Sequence, residues 1–363
     1  MIPLFKVNMP VGFESELIKT MNSGYIGEGP KVAEFELGLS EFIGNQYPLT
    51  VNSGTSGLHL ALRLSDVGFG DEVITTPMTC TATNMPIIER GAKIVWSDID
   101  PLTGSICPRS IEKNITDKTK AIMVVHWGGN VVDLHAIHKI AKKHKIKVIE
   151  DAAHAFGSTL NSKKIGNHSD FVVFSFQAIK HLTTIDGGAV FCANEADWER
   201  GKRLKWFGID RNQSRKDFRC EEDIIEHGYK FHMNDVCATI GLHQLNHIAS
   251  VINKHNKNWA FYNSKIKETS KIRKIPIIEN STTSAWLYTI HVESRDEFVR
   301  HMSDNGIVVS RVHERNDTHS CFVDSKVKLP GTDIFNSTQV SIPVGWWLTE
   351  KDKETIIQSV NSY

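Results

Sequence analysis

The chain has 363 residues, 40% of them apolar and 23% charged, with 42 basic against 42 acidic side chains and 17 histidines still to titrate. That length sets an expectation of about two domains, and ordinary glycine and proline usage excludes a collagen-like or low-complexity chain. Neutrality argues against non-specific nucleic-acid binding, which needs a basic footprint, but leaves room for a local cationic pocket facing a phosphate. No apolar run reaches the ~18 residues of a membrane span, and Met1 to Pro10 has no long apolar stretch, so neither a membrane segment nor a signal peptide is expected. The six cysteines, Cys80, Cys107, Cys192, Cys220, Cys237 and Cys321, are scattered without a C-x-x-C pair. That spacing suggests no metal site and no redox motif, and points to reduced, mostly buried thiols in a cytoplasmic protein.

From Lys31 the recurrence of Val32, Phe35, Leu39 and Phe42 predicts an amphipathic helix. Tyr47 to Val51 reads as a strand and Thr55 to Leu64 as a helix. Strands at Glu72 to Thr75 and Lys93 to Trp96 flank a helix near Asn84 to Glu89. Lys120 to Val125 is a strong strand. Val132 to His144 is helical and ends on Lys142, Lys143 and His144, which suits the helix dipole. Lys147 to Glu150 is an apolar strand ending in acid, and Phe171 to Phe174 and Gly188 to Cys192 are further strands. This alternation predicts an α/β fold with a mostly parallel sheet, helices on both faces, and ligands bound outside the carboxyl ends of the strands. Beyond it, helices are expected over Asp235 to Ile248 and Val251 to Thr269. Short strands at Leu287 to Val292 and Val308 to Val312, a helix near Arg295 to Asn305 and a closing helix from Glu350 have the look of a smaller α+β domain. The boundary falls near residue 240, dividing the chain into a large domain, 1–240, and a small C-terminal domain, 241–363.

Two places carry chemistry. Asp151 stands where the strand before it stops, in Glu150-Asp151-Ala152-Ala153-His154, and Lys180 follows the next strand in Phe174-Ser175-Phe176-Gln177-Ala178-Ile179-Lys180. An acid and a lysine on neighbouring strand ends, beside a serine, are what pyridoxal phosphate needs: the amine makes the Schiff base, and the acid keeps the pyridine nitrogen protonated. Taken alone, most such pairs are solvated surface charges. The second place is Asn52-Ser53-Gly54-Thr55-Ser56, a strand end opening into a helix, where free amides and hydroxyls attract an anion; Ser53 or Thr55 as a plain helix cap is the competing reading.

In combination these segments resemble the DegT/StrS-type sugar aminotransferases, pyridoxal-phosphate enzymes with the aspartate-aminotransferase-like (type I) fold, and the resemblance runs almost end to end. It is carried by Gly24-Tyr25-Ile26-Gly27-Glu28-Gly29-Pro30, Asn52 to Ser56, Glu150 to Ala155, Phe174 to Lys180 with Thr184 and Gly187-Gly188, Gly228-Tyr229-Lys230-Phe231 with Asp235 and Gly241, and Val312-His313. The resemblance implies that Lys180 carries the cofactor and Asp151 pairs with its ring nitrogen. It places His154 near the ring hydroxyl, and Gly54, Thr55, Ser56 and Ser175 around the phosphate. It makes Lys230 or Asn234 the residue reaching the partner's cofactor phosphate in a homodimer with shared sites. His313, His319 and Arg311 would face the substrate. Cys80, in Pro77-Met78-Thr79-Cys80, stands where the family commonly stacks an aromatic side chain on the ring. Members with His at the lysine position are dehydratases; Lys180 favours transfer of an amino group from an amino acid, glutamate in most members, to a keto sugar. Lys205, Arg211, Arg311, His313 and Arg315 are candidates to meet a nucleoside diphosphate. A small keto or phosphorylated keto acceptor is the alternative, and a cofactor-binding regulator without turnover a third reading. Trp346-Trp347 reads as packing.

Overall fold

The structure, a computed structural model, describes residues 1–9, 11–211, 217, 223–325 and 327–363. Seven strands form the central sheet in the spatial order Pro48–Val51, Gly188–Cys192, Phe171–Ser175, Lys147–Asp151, Thr119–Val125, Glu72–Thr75, Lys93–Trp96. From Phe171–Ser175 to Lys93–Trp96 every neighbouring pair is parallel, and Gly188–Cys192 runs antiparallel to both of its neighbours. Helices cover both faces, so the strands read as unbroken apolar runs; Phe171–Ser175 is buried through its first four residues and Gly188–Cys192 throughout. The parallel strands deliver their carboxyl ends, residues 52–55, 76–80, 126, 151 and 175, to one edge.

The helix Pro30–Ile43 buries Val32, Phe35, Leu39 and Ile43. It packs against one continuous helix, Asp235–Lys265. The sequence predicted two helices here. Polar and small residues near Ala249-Ser250 interrupt the apolar stripe, but neither proline nor glycine stops the backbone, and Val251 and Ile252 resume the buried face. Residue 240 therefore lies within an unbroken helix. Where the two helices cross, a Cβ on Gly241 would sit 2.6 Å from the Phe35 ring. The Asp235 carboxylate accepts from the amides of Gly29 at 2.8 Å, Lys31 at 3.2 Å and Val32 at 3.0 Å, capping the start of Pro30–Ile43. Gly29, Asp235 and Gly241 thus hold this helix pair together rather than the site.

A second, antiparallel sheet joins Ile272–Lys274, Tyr288–Val292 and Gln339–Ile342 over a core that includes Tyr262, Phe298, Met302 and Ile356. The strand expected over Val308 to Val312 is not formed. Ser310 makes a single bridge to Ser341, and Val312 turns the chain with φ 64° as the His313 amide closes onto the Arg311 carbonyl at 2.7 Å. A β-branched residue in that region is strained, and the turn re-aims the following loop toward the central sheet. Trp347 donates its indole N–H to the Pro3 carbonyl at 3.2 Å, so this side chain tethers the N-terminal segment. Five cysteines are free, and Cys220 lies outside the described residues. Among the described residues no helix is long and apolar enough to cross a membrane.

Candidate active site

At the end of Pro48–Val51 the eleven-residue helix Gly54–Leu64 begins, with Ser53 as its cap: the Ser53 hydroxyl accepts from the Ser56 amide at 3.0 Å. The cap and the anion cup coexist, because Gly54 lets the helix start press against the next strands. A Cβ on Gly54 would lie 2.9 Å from the Ser175 Cβ, and one on Gly188 would lie 2.8 Å from the Gly54 nitrogen. Gly54, Thr55 and Ser175 line the cavity at this end. Ser56 does not; its hydroxyl donates to Asn52 at 2.6 Å. A helix N-terminus flanked by two hydroxyls fits a phosphate.

Asp151 ends its strand with side chain toward the cavity, whereas Glu150, one residue earlier, points to the opposite face by the alternation of a strand. There Glu150 pairs with His126 at 2.7 Å, both fully buried. Against burial, which would raise it, His126 holds the Glu150 carboxyl below its usual range. The Asp151 carboxylate accepts from the Thr83 hydroxyl at 2.7 Å and the Ala153 amide at 3.1 Å.

Lys180 sits in a tight loop after Phe171–Ser175, closed by the Lys180 amide on the Gln177 carbonyl at 2.9 Å and the Thr184 amide on the Phe176 carbonyl at 2.9 Å. Its Nζ lies 3.7 Å from the Trp286 ring centre. Burial draws the ammonium down from its ordinary range to about 8, against the upward pull of Asp151. Roughly one molecule in ten then carries the neutral amine at pH 7, against fewer than about one in a thousand for an ordinary lysine.

Trp286 is held by its indole N–H on the Ile179 carbonyl at 3.0 Å. It stacks on His154, with ring centres 3.8 Å apart, and on Phe5, at 4.9 Å. His154 in turn lies parallel to His313 at 5.6 Å. Burial, reinforced by Lys180 and His313, holds His154 well below its ordinary pKa, and its Nδ1 accepts from the Gly128 amide at 3.4 Å. His313 is pushed down to about 4 by burial and by Lys180. Two neutral imidazoles thus face one amine.

Gly54, Thr55, Cys80, Asp151, His154, Ser175, Lys180 and His313 line one cavity of about 690 Å³. Lys230, Asn234, Arg311 and His319 do not line it. The Lys230 carbonyl accepts from Asn52 at 3.3 Å, and Asn234 caps the long helix through the Cys237 amide at 2.8 Å. The His319 amide donates to Asn316 at 3.0 Å.

Four of the five residues expected to meet a diphosphate, Lys205, Arg211, Arg311 and Arg315, are ion-paired within the chain, and the fifth, His313, lines the cavity. Lys205 is buried between Glu28 at 2.7 Å and Glu36 at 3.1 Å, and Arg211 meets Glu28 at 2.8 Å. Arg311 meets Glu314 at 2.5 Å, and Arg315 is held by Asp317 and Asp333. Among the described residues Lys180 is the one lysine or arginine lining the cavity. Sequence reading missed Thr83, Trp286, Phe5 and Gln177. Trp286 merges into the apolar start of a strand, and Thr83 into a helix; neither carries a local signal of its contact with the site.

An amine with lowered pKa, a carboxylate on the adjacent strand end and a hydroxyl-lined helix start fit the needs of pyridoxal phosphate in a transferase. The profile of the DegT/DnrJ/EryC1/StrS aminotransferase family matches residues 11–361, and the chain belongs to that family of pyridoxal-phosphate-dependent aminotransferases. It is similar to the sugar aminotransferase CalS13 of Micromonospora echinospora, at 36% identity with each chain covered completely and a TM-score of 0.96. It is 32% identical to the UDP-4-amino-4,6-dideoxy-N-acetyl-beta-L-altrosamine transaminase of Campylobacter jejuni, over 94% of this chain and 91% of that one. Spr1654 of Streptococcus pneumoniae in its PLP form shares 26% identity over 99% of this chain and 98% of that one, with a TM-score of 0.91.

Proposed function

We propose that the chain moves the amino group of an amino acid, glutamate foremost, onto a nucleotide-linked keto sugar, with one site serving the two substrates in turn. The observation that carries the reading is the Lys180 amine, drawn down to about 8 in the cavity that it shares with the Asp151 carboxylate. The name of the Campylobacter relative supports a UDP-linked sugar as the class of acceptor.

When bound, pyridoxal phosphate supplies an aldehyde that takes the amino group and a ring that takes up electrons. Lys180 would hold the cofactor, and its amine would be the base that moves the proton from the donor's α-carbon. Asp151 holds a proton on the pyridine nitrogen by its charge. Gly54, Thr55 and Ser175 receive the phosphate. His154 and His313, uncharged, hydrogen-bond without adding charge beside the amine, and Trp286 and Phe5 wall the cavity with apolar surface. Alternation of two substrates at one site gives ping-pong kinetics.

We assign it a homodimer with shared sites. The cofactor phosphate, the donor carboxylates and a diphosphate are all anions, and Lys180 alone among the described residues offers the cavity a cation. Lys230 or Asn234 of the partner subunit is the residue assigned to reach the phosphate. The large exposed side chains of Tyr25, Ile26 and Leu37 support a covered surface near the N-terminal helices. Sedimentation is expected to give a dimer at assay concentration; an active monomer contradicts the assignment. For the acceptor, calorimetry on the pyridoxamine form is expected to detect nucleoside diphosphates and their sugars. Absence of such binding, with efficient amination of a small keto phosphate, would favour the smaller acceptor.

A further inference from the structure

A run of buried hydroxyls leads away from Asp151 on the side opposite Lys180's loop. The Thr83 hydroxyl is 2.7 Å from Asp151 Oδ2 and donates to it, and the Thr79 hydroxyl is 2.7 Å from that of Thr83. Thr83 has one proton, and Asp151 takes it. The Thr79 hydroxyl therefore donates to Thr83, and every proton in the run points toward the carboxylate. Thr79 is 2% exposed and lines the cavity, and Thr83 is fully buried behind it. The Ala153 amide occupies one site on the other carboxylate oxygen at 3.1 Å. Each oxygen keeps a further acceptor position.

The run is anchored from the distant end of the chain. Asn316, fully buried, donates its side-chain amide to the Thr79 carbonyl at 2.8 Å and its backbone amide to the Pro77 carbonyl at 2.8 Å. It accepts from Asn84 at 2.8 Å, and Asn84 accepts from Thr75 at 3.0 Å. Thr83 lies in the first turn of the helix Thr81–Glu89, where a hydroxyl has local backbone partners; it is committed to Asp151 instead.

We propose that Thr83, oriented by Thr79, is a positioning residue that keeps the Asp151 carboxylate aimed for a ring nitrogen. The proposal rests on the reading of Asp151 as the partner of that nitrogen. A hydroxyl whose single proton is committed to one carboxylate oxygen fixes the plane in which the carboxylate lies. Asn316 fixes Thr79 and lies in the same loop as His313, so one buried network holds the ring-nitrogen side of the cavity and a substrate-side residue in a common frame.

The test compares two ligands on the full chain stripped of cofactor: pyridoxal phosphate and its 1-deaza analogue, in which carbon replaces the ring nitrogen. The wild-type chain is expected to bind pyridoxal phosphate more tightly. Thr83→Val, which keeps the shape and removes the hydroxyl, is expected to lose about tenfold of that preference while its affinity for the analogue stays unchanged. Thr83→Ser restores the preference, and Thr79→Val shows a smaller loss in the same direction, which covers the case in which Thr83→Val does not fold. A Thr83→Val chain with the wild-type preference, or one that weakens both ligands equally, overturns the proposal. A wild-type chain that does not distinguish the ligands instead overturns the Asp151 reading and this proposal with it.

Discussion

Lys180→Ala is expected to abolish amino transfer, with a loss of at least about 10⁴-fold, because the proposed role makes one side chain both attachment point and proton carrier. The surroundings explain why this amine can do both. It lies over the Trp286 face, 3.7 Å from the ring centre, and burial draws the ammonium down to about 8 in spite of Asp151. Single-turnover assays of each half-reaction check the loss, and borohydride reduction of the cofactor-loaded wild-type chain is expected to mark the peptide that contains Lys180. A label on another lysine, or a Lys180→Ala chain within tenfold of wild type, contradicts the assignment. His181 does not take over in the variant, because it is buried and committed to the Ser284 carbonyl at 2.9 Å.

Asp151→Asn is expected to lower the rate of both half-reactions by about a hundredfold or more while the chain still folds and binds cofactor. An asparagine oxygen can still accept from Thr83, while its NH2 then faces the Ala153 amide, so the variant loses the negative charge and one local hydrogen bond. Measured kcat should fall much further than cofactor affinity. Equal losses in the two would mean that the carboxylate only shapes the pocket, and wild-type turnover would mean that it does not face the ring.

The central sheet was legible because helices bury both faces of its strands, leaving apolar runs such as Phe171 to Phe174 that need no tertiary knowledge to recognise. The strand expected over Val308 to Val312 is interrupted by Ser310 and Arg311, makes only single contacts, Val308 with Ile2 and Ser310 with Ser341, and ends at the turn of Val312. Residues announced by the end of a strand, Asp151, Ser175, Lys180 and Gly54, lie together in the cavity, because parallel topology sends those ends to one edge. Charges in loops were less legible. Arg315 meets Asp317 two residues on, but also Asp333 on a helix, and Lys205 is enclosed by Glu28 and Glu36 from the far end of the chain. Such partners are chosen by packing, which local spacing does not encode. The same holds for Thr83, whose hydroxyl reads as an ordinary helix residue until the fold sets it against Asp151. Gly29, Asp235 and Gly241 belong to conspicuous motif segments, and their physical work is to cap one helix and let another cross it.

The most direct measurement follows the absorbance of the loaded wild-type chain through both halves of a turnover. Glutamate is expected to remove the absorbance band of the pyridoxal form and release a keto acid in one equivalent per site. A UDP-linked keto sugar added next is expected to restore the band and yield an amino sugar in the same amount. A band that glutamate and other amino acids leave untouched, or one that returns only with a small keto phosphate and never with a nucleotide-linked keto sugar, would contradict the account.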